Sequence, residues 1–188
     1  NEFIREARSA AQLNHPSIVQ VYDVNRSDGF PYIVSEFVEG VTLADRLASK
    51  TFNFRETALL VATIADALQH AHQKGVVHRD IKPENILINK ESQVKILDFG
   101  LAKLKGASNL TQENSTLGTI HYMSPEQTKG EMVDHRSDIW SLGVVLYEMI
   151  LGRVPFKADT PMAVLMAHLH DPLPLPSQVE PDIHGAIE

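Results

Sequence analysis

The sequence has no cysteine among its 188 residues. That excludes disulfides, cysteine-ligated zinc and thiol nucleophiles, and it fits a reducing compartment such as the cytoplasm. It has no excess of positive charge. The formal net charge is −7 and the pI is near 5.7, which argues against a general nucleic-acid binder, because such a protein shows a basic face. Nor does it have an apolar run that could span a bilayer. Ile139 to Leu151 is the nearest approach, and it is too short and carries Ser141 and Glu148. No signal or transit peptide, internal repeat or low-complexity tract is evident. Asn1 falls inside a helical pattern without an initiator Met, so the expectation is a piece of a longer protein. Its length suffices for one good core or two small lobes.

Periodicity supplies the elements. Phe3, Ile4, Ala7, Ala10 and Ala11 recur at helical spacing over Glu2 to Leu13, and Asn14-His15-Pro16 ends that helix because the residue before Pro is restricted. Ile18–Val24 and Tyr32–Phe37 are β-branched and aromatic, and Asn25 to Gly29 between them carries turn chemistry, which predicts a hairpin. Glu39-Gly40 reads as a flexible joint. Thr42 with Asp45 suggests a capping box, and Phe54 to Lys74 is a long amphipathic helix stopped by Gly75. Ile86–Ile88 and Val94–Ile96 read as short strands. Leu101 to Leu117 has no period and reads as a long loop. Asp138 is expected to cap a buried helix over Ile139–Leu151. Thr160-Pro161 opens another helix to about His170. Pro172, Pro174, Pro176 and Pro181 predict an extended tail, with Asp182 as the cap of one more helix.

Chemistry concentrates in His78-Arg79-Asp80-Ile81-Lys82-Pro83-Glu84-Asn85 and in Asp98-Phe99-Gly100. A proton acceptor, a cation and two oxygen donors lie close together in sequence, which are the parts that phosphoryl transfer needs. Taken singly, each residue reads as a turn with solvated charges. Taken as a nine-residue run from Val77 to Asn85 with an Asp-Phe-Gly after the next strand, the pattern is specific. A third segment, Gly118-Thr119-Ile120-His121-Tyr122-Met123-Ser124-Pro125-Glu126, adds to it. The nine histidines do not form a metal signature: His70 and His72, like His168 and His170, are two apart and point to different sides of a helix.

These motifs resemble the Ser/Thr protein kinase catalytic domain, from about Phe3 to the end of the chain, and Ser-Pro-Glu followed by Gln127 looks like its bacterial branch. The resemblance implies an α+β two-lobed fold. Residues 1–38 would be a partial upper lobe (a helix, two strands and the start of the hinge), and residues 39–188 a mainly helical lower lobe truncated at its end. It implies Asp80 as the base that orients the substrate hydroxyl, Lys82 as the charge stabiliser, and Asn85 and Asp98 as ligands of Mg²⁺. ATP would be the phosphoryl donor. Glu36 and Val38 would bond adenine through their backbones, Leu87 would pack beneath the base, and Glu6 would pair with an ATP-contacting Lys. Ser35 would guard the back of the nucleotide pocket and leave it roomy. His78 and Phe99 would stack inside, Thr119 would bond Asp80 and Lys82, and Asp138 would brace the catalytic loop. Arg79 and Lys103 would hold a phosphate placed on Thr111, Ser115 or Thr116.

The same resemblance implies Ser/Thr-bearing protein substrates, a second kinase domain as a candidate partner, no nucleic acid, and membrane contact only through other regions of a parent enzyme. Two parts of the pattern are missing: a Gly-rich loop with its Lys before Glu6, and a late Arg opposite Glu126. The expectations are therefore that Glu126 rehydrates or sits strained, and that the 188-residue chain alone has little activity. The rivals are a non-catalytic scaffold of the same fold and a small-molecule kinase. Intact Asp80, Lys82, Asn85 and Asp98 speak against the first, and the Ser-Pro-Glu segment against the second.

Overall fold

A computed structural model of the chain describes residues 2–28, 30–49, 52–99, 116–181 and 183; the side chains of residues 2–6, 31, 116 and 117 are outside the description. Lys103, Thr111, Ser115, the Thr116 side chain, Asp182 and the side chain of Glu6 therefore lie beyond it. The fold is α+β. The first helix, α1 (Glu2–Ala11), precedes an antiparallel hairpin of β1 (Val21–Ser27) and β2 (Phe30–Ser35). A second sheet follows, of order β3 (Gly40–Thr42), β4 (Ile86–Asn89), β5 (Val94–Ile96), all antiparallel. The remainder is helical: α2 (Leu43–Ser49), α3 (Phe54–Gln73), α4 (Thr116–Ile120), α5 (Pro125–Lys129), α6 (His135–Leu151), α7 (Pro161–His170) and α8 (Pro176–Val179).

Several expectations are corrected. The hairpin strands run through Asn25, Arg26 and Ser27, which pair with Tyr32, Pro31 and Phe30; the ladder overrides local turn propensity, and the left-handed residue is Asp28 at φ +52°. Gly40 is no joint but a strand residue opposite Asn89. A Cβ there would sit 2.4 Å from the Ile88 carbonyl oxygen, so the strands approach too closely for a side chain. The loop expected to reach Leu117 gives way to α4 from Thr116. The proline-rich tail contains α8, opened by Pro176 at its first position. Finally, α6 begins at His135, four residues before the expected start at Ile139. Asp134 is the N-cap, accepting from the Arg136 N–H at 2.8 Å, and Asp138 lies inside the first turn. Nor is α6 buried on every face, since Ile139 is well exposed.

One core joins these parts. Leu13, Leu43, Ile64, Ile81, Ile86 and Ile96 are essentially inaccessible and belong to one cluster; each contributes about 1.5–3 kcal/mol by leaving water. The amphipathic α3 supplies Leu60, Ile64, Ala67, Leu68 and Ala71 to it. Its start is fixed by a capping box between Asn53 and Glu56, with bonds of 2.9 and 3.1 Å. The segment between α1 and β1 is stitched to β5: Val19 N–H donates to the Ile96 carbonyl at 3.0 Å, and Ile96 N–H to the Ser17 carbonyl at 2.9 Å. The residues from Val76 to Asn85 thus run between α3 and the β4–β5 hairpin, two parts of the same core.

Candidate active site

The loop carrying Asp80 is held in a conformation that it would not adopt alone. Arg79 has φ +68°, a region that non-glycine residues enter at a cost. Asp138 supplies part of the compensation. Its carboxylate is wholly buried, and it accepts from His78 N–H at 2.9 Å and from Arg79 N–H at 2.7 Å. His72 on α3 closes the set with Nε2 2.7 Å from Asp138 Oδ2. An ionised carboxylate only accepts, so this imidazole nitrogen donates. The His78 ring is used on both sides: Nε2 donates to the Leu97 carbonyl at 2.6 Å, and Nδ1 accepts from Asp80 N–H at 3.2 Å. Its edge meets Phe99, centroids 4.7 Å apart.

Four of the sequence-predicted residues form one polar cluster. Lys82 Nζ lies 3.2 Å from Asp80 Oδ2 and donates to Thr119 Oγ1 at 2.6 Å. Asn85 Nδ2 donates to the Asp80 carbonyl at 2.7 Å and to its Oδ2 at 3.0 Å. Both amide hydrogens of Asn85 are thereby committed to Asp80, which leaves Oδ1 as a bare oxygen acceptor. That orientation suits a hard cation, which takes oxygen ligands. Leu97 N–H donates to the Asn85 carbonyl at 2.9 Å, so the chain passes Asn85 immediately before Asp98. Asp98, at φ +59°, is solvent-accessible. Its carboxylate, like Asn85 Oδ1, offers oxygen, the donor type that Mg²⁺ takes.

A cavity of about 190 Å³ lies beside Asp98, lined among others by Ala7, Ala10, Ile33, Ser35 and Phe99. Small side chains on α1 and at the end of β2 leave that space. Past Ser35 the chain bears Glu36, whose N–H donates to the Gln20 carbonyl at 2.8 Å; Val38 is half-buried, and half-buried Leu87 on β4 pairs with Lys95 on β5. The Glu36 carboxylate is gripped by Lys95 Nζ at 2.9 Å to each oxygen. Those bonds hold its pKa below the ordinary value of 4.5 against the opposing effect of burial. The folded chain therefore sheds this proton at a lower pH than the unfolded one. The stability from this pair is complete above the ordinary value and is lost as pH falls through the lowered one. Thermal unfolding followed from about pH 6 to about pH 3 should show that loss, and Lys95→Met should reduce it.

Glu126, expected to be strained or rehydrated, has partners instead. Ser137 Oγ donates to Glu126 Oε1, and Ser124 Oγ donates to Ser137 Oγ at 3.0 Å. Burial pushes the Glu126 carboxyl up, but the serine hydroxyls and its own backbone bond outweigh it, and the net shift is downward. Reading the sequence missed His72, Lys95 and Ser137. His72 stands out in the sequence only as a histidine two residues from His70 on the long helix, and nothing local marks Lys95 or Ser137. Another carboxylate is similar: Glu148, half-buried on α6, accepts from Tyr122 Oη at 2.6 Å, and burial raises its pKa.

Comparison with known proteins places the chain in a family. A family model described as "Protein kinase domain" matches residues 1–184. The chain is 41% identical to serine/threonine-protein kinase PrkC of Bacillus subtilis, covering 100% of this chain and 30% of that protein. It is 45% identical to serine/threonine-protein kinase PknB of Mycolicibacterium smegmatis, covering 96% and 30%, and 44% identical to PknB of Mycobacterium tuberculosis, covering 92% and 29%. The chain thus spans about 30% of the length of the curated relatives it matches. No helix among the described residues is long and apolar enough to cross a membrane.

Proposed function

This chain belongs to the protein kinase family, and on that premise we propose that its enzyme transfers the γ-phosphoryl group of ATP to serine or threonine hydroxyls of proteins. The observation that carries the reading is the single cluster of Asp80, Lys82, Asn85 and Thr119. Lys82 and Asn85 hold Asp80 Oδ2, and the other carboxylate oxygen accepts the hydrogen bond of the incoming hydroxyl and aims its oxygen at phosphorus. The Lys82 ammonium, held between Asp80 and Thr119, sets a positive charge where negative charge grows on the moving group. Asn85 fixes the Asp80 carboxylate from one side and offers Oδ1 to a cation on the other. Asn85 and Asp98 would hold Mg²⁺, which when bound supplies charge neutralisation at the phosphates.

The hinge from Ser35 to Val38 takes the adenine, with backbone groups of Glu36 and Val38 as its hydrogen-bonding edge and Leu87 under the ring. Proteins bearing Ser or Thr are the acceptors and the cytoplasm is the compartment, consistent with the cysteine-free composition. A transfer assay on the full-length enzyme tests this reading by offering a Ser/Thr peptide, a Tyr peptide and a small alcohol together. Label in the first alone is the expected result; label in the alcohol or the Tyr peptide contradicts it. A second expectation concerns Ser35. Ser35→Met fills the space beside Phe99 and should weaken binding of an ATP analogue bulky at the adenine amine by roughly tenfold, leaving ATP itself little changed. Equal affinity of that analogue for both forms would remove Ser35 from the pocket.

A further inference from the structure

We propose that Gln127 is a positioning residue for Asp80, an inference that rests on the phosphoryl-transfer reading above. Arg79 directly precedes Asp80 and sits at φ +68°, so its backbone must be held in place. Asp138 holds only one side of it, the N–H, at 2.7 Å. The other side is the carbonyl of the peptide bond that joins Arg79 to Asp80, and Gln127 Nε2 donates to that carbonyl at 2.7 Å. That peptide plane carries two polar groups: the Asp80 N–H, which donates to His78 Nδ1 at a long 3.2 Å, and the Arg79 carbonyl, which Gln127 grips at 2.7 Å. Held on both edges, the plane from which the Asp80 side chain departs resists rotation about the Arg79 ψ angle.

The Gln127 amide cannot turn away from this task. Its Oε1 accepts from Ser124 N–H at 2.9 Å, and its own N–H donates to Ser124 Oγ at 3.3 Å, the reciprocal pair that caps α5. With the amide oxygen engaged at the cap, the amide nitrogen faces Arg79. One side chain therefore joins the start of α5 to the catalytic loop, and a displacement of α5 is passed to the peptide ahead of Asp80. A 1 Å misplacement of a reacting group is enough to lower a rate by orders of magnitude.

The two roles separate chemically. A glutamate at this position still accepts from Ser124 N–H and keeps the cap, but it has no hydrogen to donate to the Arg79 carbonyl. A methionine loses both bonds. The test compares wild type, Gln127→Glu and Gln127→Met in the full-length enzyme, with steady-state kinetics on a Ser/Thr peptide, thermal unfolding, and hydrogen–deuterium exchange over residues 77–82. Both variants should lose kcat by at least about tenfold, with KM for ATP within about twofold of wild type. Gln127→Glu should keep the wild-type unfolding midpoint while its catalytic loop exchanges faster. An active wild type with full kcat in Gln127→Glu reduces the residue to a helix cap and overturns this inference alone. A wild type that transfers no phosphoryl group overturns the functional reading, and this inference with it.

Discussion

Asp80→Asn should lower kcat of the full-length enzyme by about 10³-fold while leaving KM for ATP within a few-fold of wild type. The side chain keeps its size, so packing around it should hardly change. What is lost is the acceptor. Asp80 Oδ2 faces two donors, Lys82 Nζ at 3.2 Å and Asn85 Nδ2 at 3.0 Å. An amide in that place either turns its own NH₂ toward them or gives its single oxygen to them and none to the substrate hydroxyl. Lys82 also loses the negative charge against which it is set. Thermal unfolding should move far less than kcat, because the substitution keeps the side chain's size and its backbone contacts to His78 and Asn85 are untouched. Steady-state kinetics with a Ser/Thr peptide checks the split. A variant that keeps more than about a tenth of wild-type kcat removes Asp80 from the role of base.

The second large effect is structural in origin and lies away from the reacting atoms. Asp138→Asn should destabilise the domain by about 3 kcal/mol, which for a chain of this size lowers the unfolding midpoint by roughly 10 °C. The carboxylate makes three contacts, all with donors: His72 Nε2, His78 N–H and Arg79 N–H. An amide offers only one oxygen to three donors, and its NH₂ must then meet at least one of them in a site with no access to water. The strain at Arg79 loses an anchor at the same time, so activity should fall at temperatures where the fold survives. Ile139 is the control. It is the next residue on α6, but it is well exposed, and Ile139→Ala should cost no more than about 0.5 kcal/mol. Equal midpoints for the two variants would contradict the role assigned to Asp138.

The contrast between those neighbours also marks how far the sequence could be read. Asp80, Lys82 and Asn85 were legible because they are nearly consecutive, so one short loop presents them together whatever the rest of the fold does. The hairpin, α3 and α7 were legible because a period or a cap marks them locally, as the apolar repeat of α3 and Thr160 do. The start of α6 was not. Its first turn, His135 to Asp138, is polar, and an Asp ahead of an apolar run looks like a cap. Asp138 is polar for a different reason, a partner 60 residues away in sequence. The same holds for His72 with Asp138, Lys95 with Glu36 and Gln127 with Arg79, separated by 66, 59 and 48 residues. Such bonds leave no periodic trace; only the folded chain brings the partners together. Gln127 was noticed in the sequence as a sign of a family branch, and its chemistry became visible only with the Arg79 carbonyl beside it.

The measurement that bears most directly on the account is a structure of the full-length kinase domain with Mg²⁺ and a non-hydrolysable ATP analogue. The expected result is the ion in contact with Asn85 Oδ1 and an Asp98 carboxylate oxygen, adenine against the backbone of Glu36 and Val38, and Asp80 Oδ2 still held by Lys82 and Asn85 with the other Asp80 oxygen open to an incoming hydroxyl. A nucleotide bound elsewhere, or an Asn85 amide turned so that its nitrogen faces the metal and its oxygen faces Asp80, would contradict it.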